Sequence, residues 1–105
     1  MADMPLDERI EALADIVAMT VEDDTTSDEI TAALDTAADA VREGDMETAH
    51  EALTAAAARV AELVEAAPDG EAKDTLEQVA KELGRTMEDT AGGILNDRVR
   101  QALGR

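Results

Sequence analysis

Glu47 and His50 stand three residues apart in "METAHEAL". On a helix that spacing puts both side chains on one side. A carboxylate beside an imidazole is a donor set for a first-row transition metal. His50 is the only histidine, so a homodimer would have to supply a second copy of the pair. Competing with this is a structural role, in which His50 borders the core and bonds a neighbouring acid. Glu47 then favours the positive N-terminal end of its helix. A second acidic set is Glu8 and Glu11 in "DERIE", with Asp35 and Asp39 downstream at i, i+4. Paired carboxylates can hold Mg²⁺. With 26 acids among 105 residues, such pairs also arise by chance, and a solvated acidic face outweighs the metal reading.

Two of these pairs invite comparison with known families. The Glu-x-x-His pair is similar to those of di-metal carboxylate bundles, which add glutamates from neighbouring helices. Glu8 and Glu11 look like part of the Mg²⁺ site of all-α nucleotide pyrophosphatases. That family's fuller Glu-Glu-x-x-Glu and Glu-x-x-Asp pattern is not met. "VEDDTTSDE" lacks the spacing of a calcium-binding EF-hand loop. There is no Gly-rich phosphate loop, and the single serine, Ser27, reads as helix-start chemistry. No cofactor is expected, and a non-enzymatic role is favoured over a metal-dependent bundle enzyme.

Four amphipathic helices must position these residues. Pro5 suits the first turn of a helix capped by Asp3. From there Leu6, Ile10, Leu13 and Val17 step by four, three and four, a helical face with coiled-coil spacing. This helix is expected to end near Thr20 to Glu22. Thr26 and Glu29 form a Thr-x-x-Glu capping box for a second helix. Its face is Ile30, Ala33, Leu34, Ala37 and Val41. Gly44 stops that helix and Asp45 can cap the next. The third helix carries Met46, Ala49, His50, Leu53, Ala56, Ala57, Val60, Leu63, Val64 and Ala67 on one side. "PDG" at 68–70 is a turn. A fourth helix presents Leu76, Val79, Leu83 and Met87, with Glu77 and Lys81 as an i, i+4 pair.

"GG" at 92–93 predicts a break. The chain is therefore expected to divide into an acidic bundle over 1–91 and a hinge with a short amphipathic helix over 92–105. That last helix gathers Ile94, Leu95, Val99 and Leu103 on one side, with Arg98 and Arg100 elsewhere. These six residues are the candidate partner-binding surface. The predicted fold is all-α: a four-helix antiparallel bundle built around an αα-hairpin, plus the C-terminal helix. "REGDMETAHEAL" resembles the turn of a tetratricopeptide hairpin, but it occurs once and lacks that family's aromatic positions, so a single hairpin is expected.

Charge sets the solution behaviour. Nine basic residues face 26 acids, for a net charge of −17, and only two of the nine are lysine. Like charges at i, i+4, such as Asp7, Glu11 and Asp15, repel by a few tenths of a kcal/mol each. The repulsion fades as the Debye length shrinks to about 3 Å near 1 M salt. Acid excess, scarce lysine and abundant alanine resemble the proteome of salt-in halophilic archaea. The resemblance is compositional and covers the whole chain. Leu, Ile and Val supply only 20 residues and there is no Phe, Trp or Tyr, so four thin stripes make a slim core and a homodimer is expected. No apolar run is long enough to span a membrane, and no signal-peptide pattern opens the chain. A cytoplasmic location is expected. So acidic a body disfavours direct nucleic-acid binding. The expected role is a helical interaction or regulatory module, with the metal-dependent enzyme and an acidic nucleic-acid mimic as alternatives.

Overall fold

The structure, a computed structural model, describes residues 5–104, the side chains of 96–98 excepted. Four helices follow one another: α1 (Leu6–Thr20), α2 (Asp24–Glu43), α3 (Met46–Ala66) and α4 (Glu71–Leu103). Each packs on its neighbour in sequence, and α1 closes the ring against α4. α1 and α3, like α2 and α4, lie across the diagonals. This is the expected all-α, antiparallel four-helix bundle.

The core is the set of stripes read from the spacing. Ile10, Leu13 and Val17 of α1 meet Ile30, Leu34 and Ala37 of α2, Leu53, Ala56 and Val60 of α3, and Val79 and Leu83 of α4. Alanines at 37, 38, 49 and 56 are buried as completely as the larger residues. Small side chains let the helix backbones approach, and dispersion contacts between backbones replace those the side chains forgo.

The helix ends follow local chemistry. Gly44 takes the left-handed conformation at φ 80°. Its N–H donates to Val41 O, and the N–H of Asp45 donates to Ala40 O at 2.8 Å. That pair of bonds closes α2 as a Schellman motif. Asp45 then caps α3 by accepting from the Thr48 N–H. The start of α2 differs from expectation. Asp23 precedes the first helical residue, Asp24, and the Thr26 hydroxyl donates to the Asp23 carboxylate at 2.6 Å. Thr26 thus lies inside the first turn, and the Thr26/Glu29 capping box does not form. The proposed Asp3 cap lies outside the described residues.

The larger difference is at the C-terminal end. Gly92 and Gly93 do not break the chain; α4 runs unbroken for 33 residues from Glu71 to Leu103. The segment read as a separate amphipathic helix is its last third. Helical glycine costs about 1 kcal/mol relative to alanine, a weak penalty against cooperative backbone bonding on both sides. Packing adds to this at Gly93, where a Cβ would stand 3.1 Å from Met46 Cγ. Gly84 is likewise inside the helix.

Unequal lengths give the molecule its shape. At 1.5 Å per residue α1 is about 22 Å long and α4 about 50 Å. The long dimension of the particle is 54 Å, against 30 and 22 Å across.

Candidate functional site

Each seam between neighbouring helices carries a polar cross-tie. Arg42 on α2 reaches three acids: Asp7 on α1 at 3.0 Å, Asp39 on its own helix at 3.0 Å, and Glu11 on α1. Hydrogen bonds donated to Glu11 and then to Asp7 hold the Arg42 guanidinium pKa above its ordinary value. Arg59 on α3 pairs with Glu29 on α2 at 2.7 Å. Arg9 on α1 pairs with Asp89 on α4 at 2.8 Å. The fourth tie, α3 to α4, is His50 Nδ1 to Thr90 Oγ1 at 3.0 Å. Exposed pairs of the Arg kind contribute little to stability, because solvent screens them. They fix which faces meet more than they stabilise the bundle.

His50 is half-buried. The Thr90 hydroxyl donates to Met87 O at 2.9 Å. With that proton engaged, its oxygen is free to accept from His50 Nδ1–H. Thr90 and Thr86 are fully buried on the inner face of α4, and Thr86 donates to Glu82 O at 2.7 Å. The inward row of α4 thus runs Leu76, Val79, Leu83, Thr86, Thr90, Gly93. The same three-four stepping that found its first three members finds the rest.

The predicted site residues fall into three places. Glu47 lies exposed on the first turn of α3, one turn from His50. Glu8 is exposed on α1. Glu11 and Asp39 do meet across the α1–α2 seam, but around the guanidinium of Arg42. His50 bonds a threonine hydroxyl, not the acid expected. Among the described residues, no group of three or more His, Asp or Glu side chains is arranged to hold a metal ion.

The remaining candidates lie at the far end of α4. Three contacts fix its level against the bundle: Arg9 with Asp89, His50 with Thr90, and Met46 over Gly93. Since α3 begins at Met46 and α1 at Leu6, residues 94–103 project beyond both, by about 15 Å. On this overhang Ile94 is half-buried. Leu95 is 62% exposed, Val99 46% and Leu103 79%. Arg100 is exposed in the last turn, where it faces the negative end of the helix. The side chain of Arg98 lies outside the described residues. At the opposite end, the α1–α2 and α3–α4 connections border a shallow recess of about 390 Å³. Its floor includes Val21, Leu63, Ala67 and Leu76, and Glu22 and Asp23 line it too.

Fold and site together define a class: a small, acidic up-down-up-down bundle with one over-long helix whose tip bears an uncovered apolar row. No protein family, curated protein or solved structure matches the chain. No described helix is long and apolar enough to cross a membrane.

Proposed function

We propose that this chain is a non-enzymatic helical interaction or regulatory module of a salt-in halophilic archaeal cytoplasm, acting through the overhang of α4. One observation carries the reading. Leu95, Val99 and Leu103 recur at every fourth residue, exposed, on a helix end that projects past the starts of α1 and α3. Single exposed apolar residues are ordinary, whereas a contiguous row on a protruding element marks a contact surface. The described ionisable groups lend support by their arrangement. The interhelical carboxylate clusters are organised around arginines, which tie those acids across the helix seams. The halophilic setting is supported by the net charge of −17 and the preference for arginine over lysine.

Truncation after Gly93 tests the assignment. In concentrated KCl the shortened bundle is expected to keep its helicity, since the core ends at the level of Gly93. It is expected to lose association with any protein, itself included, in sedimentation and in pull-down from cells. Association that survives the truncation at full strength would place the contact elsewhere and overturn the reading.

A further inference from the structure

The exposed row on α4 faces away from its own bundle. At 3.6 residues per turn, Leu95, Val99 and Leu103 lie on nearly the opposite side of the helix from Thr86, Thr90 and Gly93. α4 is continuous through 92–93, so no hinge turns the row back onto the core. Followed toward the bundle, the same outer side carries Lys81, Gly84, Arg85, Glu88, Ala91 and Gly92, all exposed. A Cβ added at Gly84 or Gly92 would meet nothing within 4 Å. Each glycine costs the helix about 1 kcal/mol relative to alanine, and intramolecular packing returns nothing for it. Gly93, by contrast, is accounted for by Met46.

Charge selects what lies there. Residues 94–105 hold one acid and three arginines, a net of +2; residues 1–93 hold the other 25 acids and six bases, a net of −19, and the two sum to −17. The sequence from 94 to 105 is thus the basic end of a strongly acidic chain, and the best match for it is the rest of that chain.

We propose that the outer face of α4, from Gly84 to Leu103, is a self-recognition surface on which a second copy lays its own α4 antiparallel. The proposal rests on the overhang being the contact element and names its occupant. Parallel pairing sets arginines on arginines and acids on acids. Antiparallel pairing brings each basic tip beside Glu88 and the acidic flank of the other helix, and it also opposes the helix dipoles. Leu95 and Val99 of one copy then pack over Gly92, Ala91 and the stem of Glu88 in the other, and Leu103 reaches toward Gly84. The two-fold axis passes between the levels of Gly92 and Leu95, and about 30 Å of helix is shared. Glycines at 84 and 92 allow the two backbones to close in.

The test uses the full chain in concentrated KCl. Wild type is expected to sediment as a dimer. Gly92→Leu is expected to keep full helicity, because its side chain enters open space, yet to weaken self-association at least ten-fold. Leu95→Glu should do the same. The chain has no cysteine, so Gly92→Cys is expected to yield a disulfide-linked dimer on oxidation. A dimer that withstands both Gly92→Leu and Leu95→Glu would overturn the proposal. So would cross-linking of Leu103→Cys to Ala67→Cys in place of the Gly92 link, which marks a head-to-tail contact with the recess. A wild-type chain monomeric at hundreds of micromolar overturns self-recognition alone. If the chain then still captures another protein, and loses it on truncation after Gly93, the broader interaction reading stands.

Discussion

Asp45 shows how much one side chain does at a helix start. Its carboxylate accepts from the Thr48 hydroxyl at 2.7 Å and from the Thr48 N–H at 3.2 Å. Those two bonds, the hydroxyl first, hold its pKa below the ordinary 3.8. A carboxyl whose pKa is depressed on folding stabilises the folded state above its unfolded pKa and loses that contribution as pH falls through the folded value. Asp45→Asn is therefore expected to melt below wild type at neutral pH. The gap should narrow as pH drops beneath about 3.8, a comparison that thermal melts of the two proteins across pH 2–7 will make. Asp45 was legible in the sequence because Gly-Asp after an amphipathic run has a local meaning. His50 was legible only in part. Its place at the edge of the core followed from periodicity, but its partner Thr90 is 40 residues away and threonine does not announce a buried role.

Among the elements, the α2–α3 hairpin is the best specified. A left-handed glycine, a capping aspartate and two alanine-rich faces all agree on one turn, and such agreement across levels makes a sequence foldable. Gly44→Ala is expected to lower stability by about 1 kcal/mol, since alanine in the left-handed region is strained. Denaturant titration will measure it. α4 is the opposite case. Its first half was readable from Leu76, Val79 and Leu83, but Gly92-Gly93 suggested a stop that the helix does not make. Local propensity is a weak prior, and a pair of glycines yields to hydrogen-bonded backbone on both sides and to Met46 packed against one of them. The same misreading detached Leu95, Val99 and Leu103 from the element that carries them, and it grouped with them Ile94, which is half-buried on another side of the helix. At the head of α2 the error was smaller: with Asp23, Asp24, Thr26 and Asp28 together, several residues could serve as the cap.

For the whole molecule the governing quantity is repulsion among 26 acids. The arginine ties are placed to relieve it where α1 and α2 face each other, with Arg42 gathering Asp7, Glu11 and Asp39. Arg42→Ala leaves those three carboxylates confronting one another. Its melting temperature is expected to fall well below wild type in dilute buffer and to approach it in concentrated KCl, where exposed charges are screened. Circular dichroism melts over a KCl series will separate the two. A deficit that stays constant with salt would show that Arg42 acts through packing of its stem. That a bundle would form was readable from stripe spacing alone. How far its helices are staggered was not, because stagger depends on contacts such as Arg9 with Asp89 that pair residues 80 apart.

With four rods running lengthwise through a particle 54 Å long and 22 Å at its narrowest, almost every amide N–H bond lies near one direction. End-over-end rotation reorients those bonds, while spinning about the long axis scarcely does. In a nuclear relaxation experiment the helical amides will therefore fall in one narrow band set by the slowest tumbling mode. Any stretch of chain that leaves the common axis, at one of the three connections or past the tip of α4, will stand out from that band residue by residue.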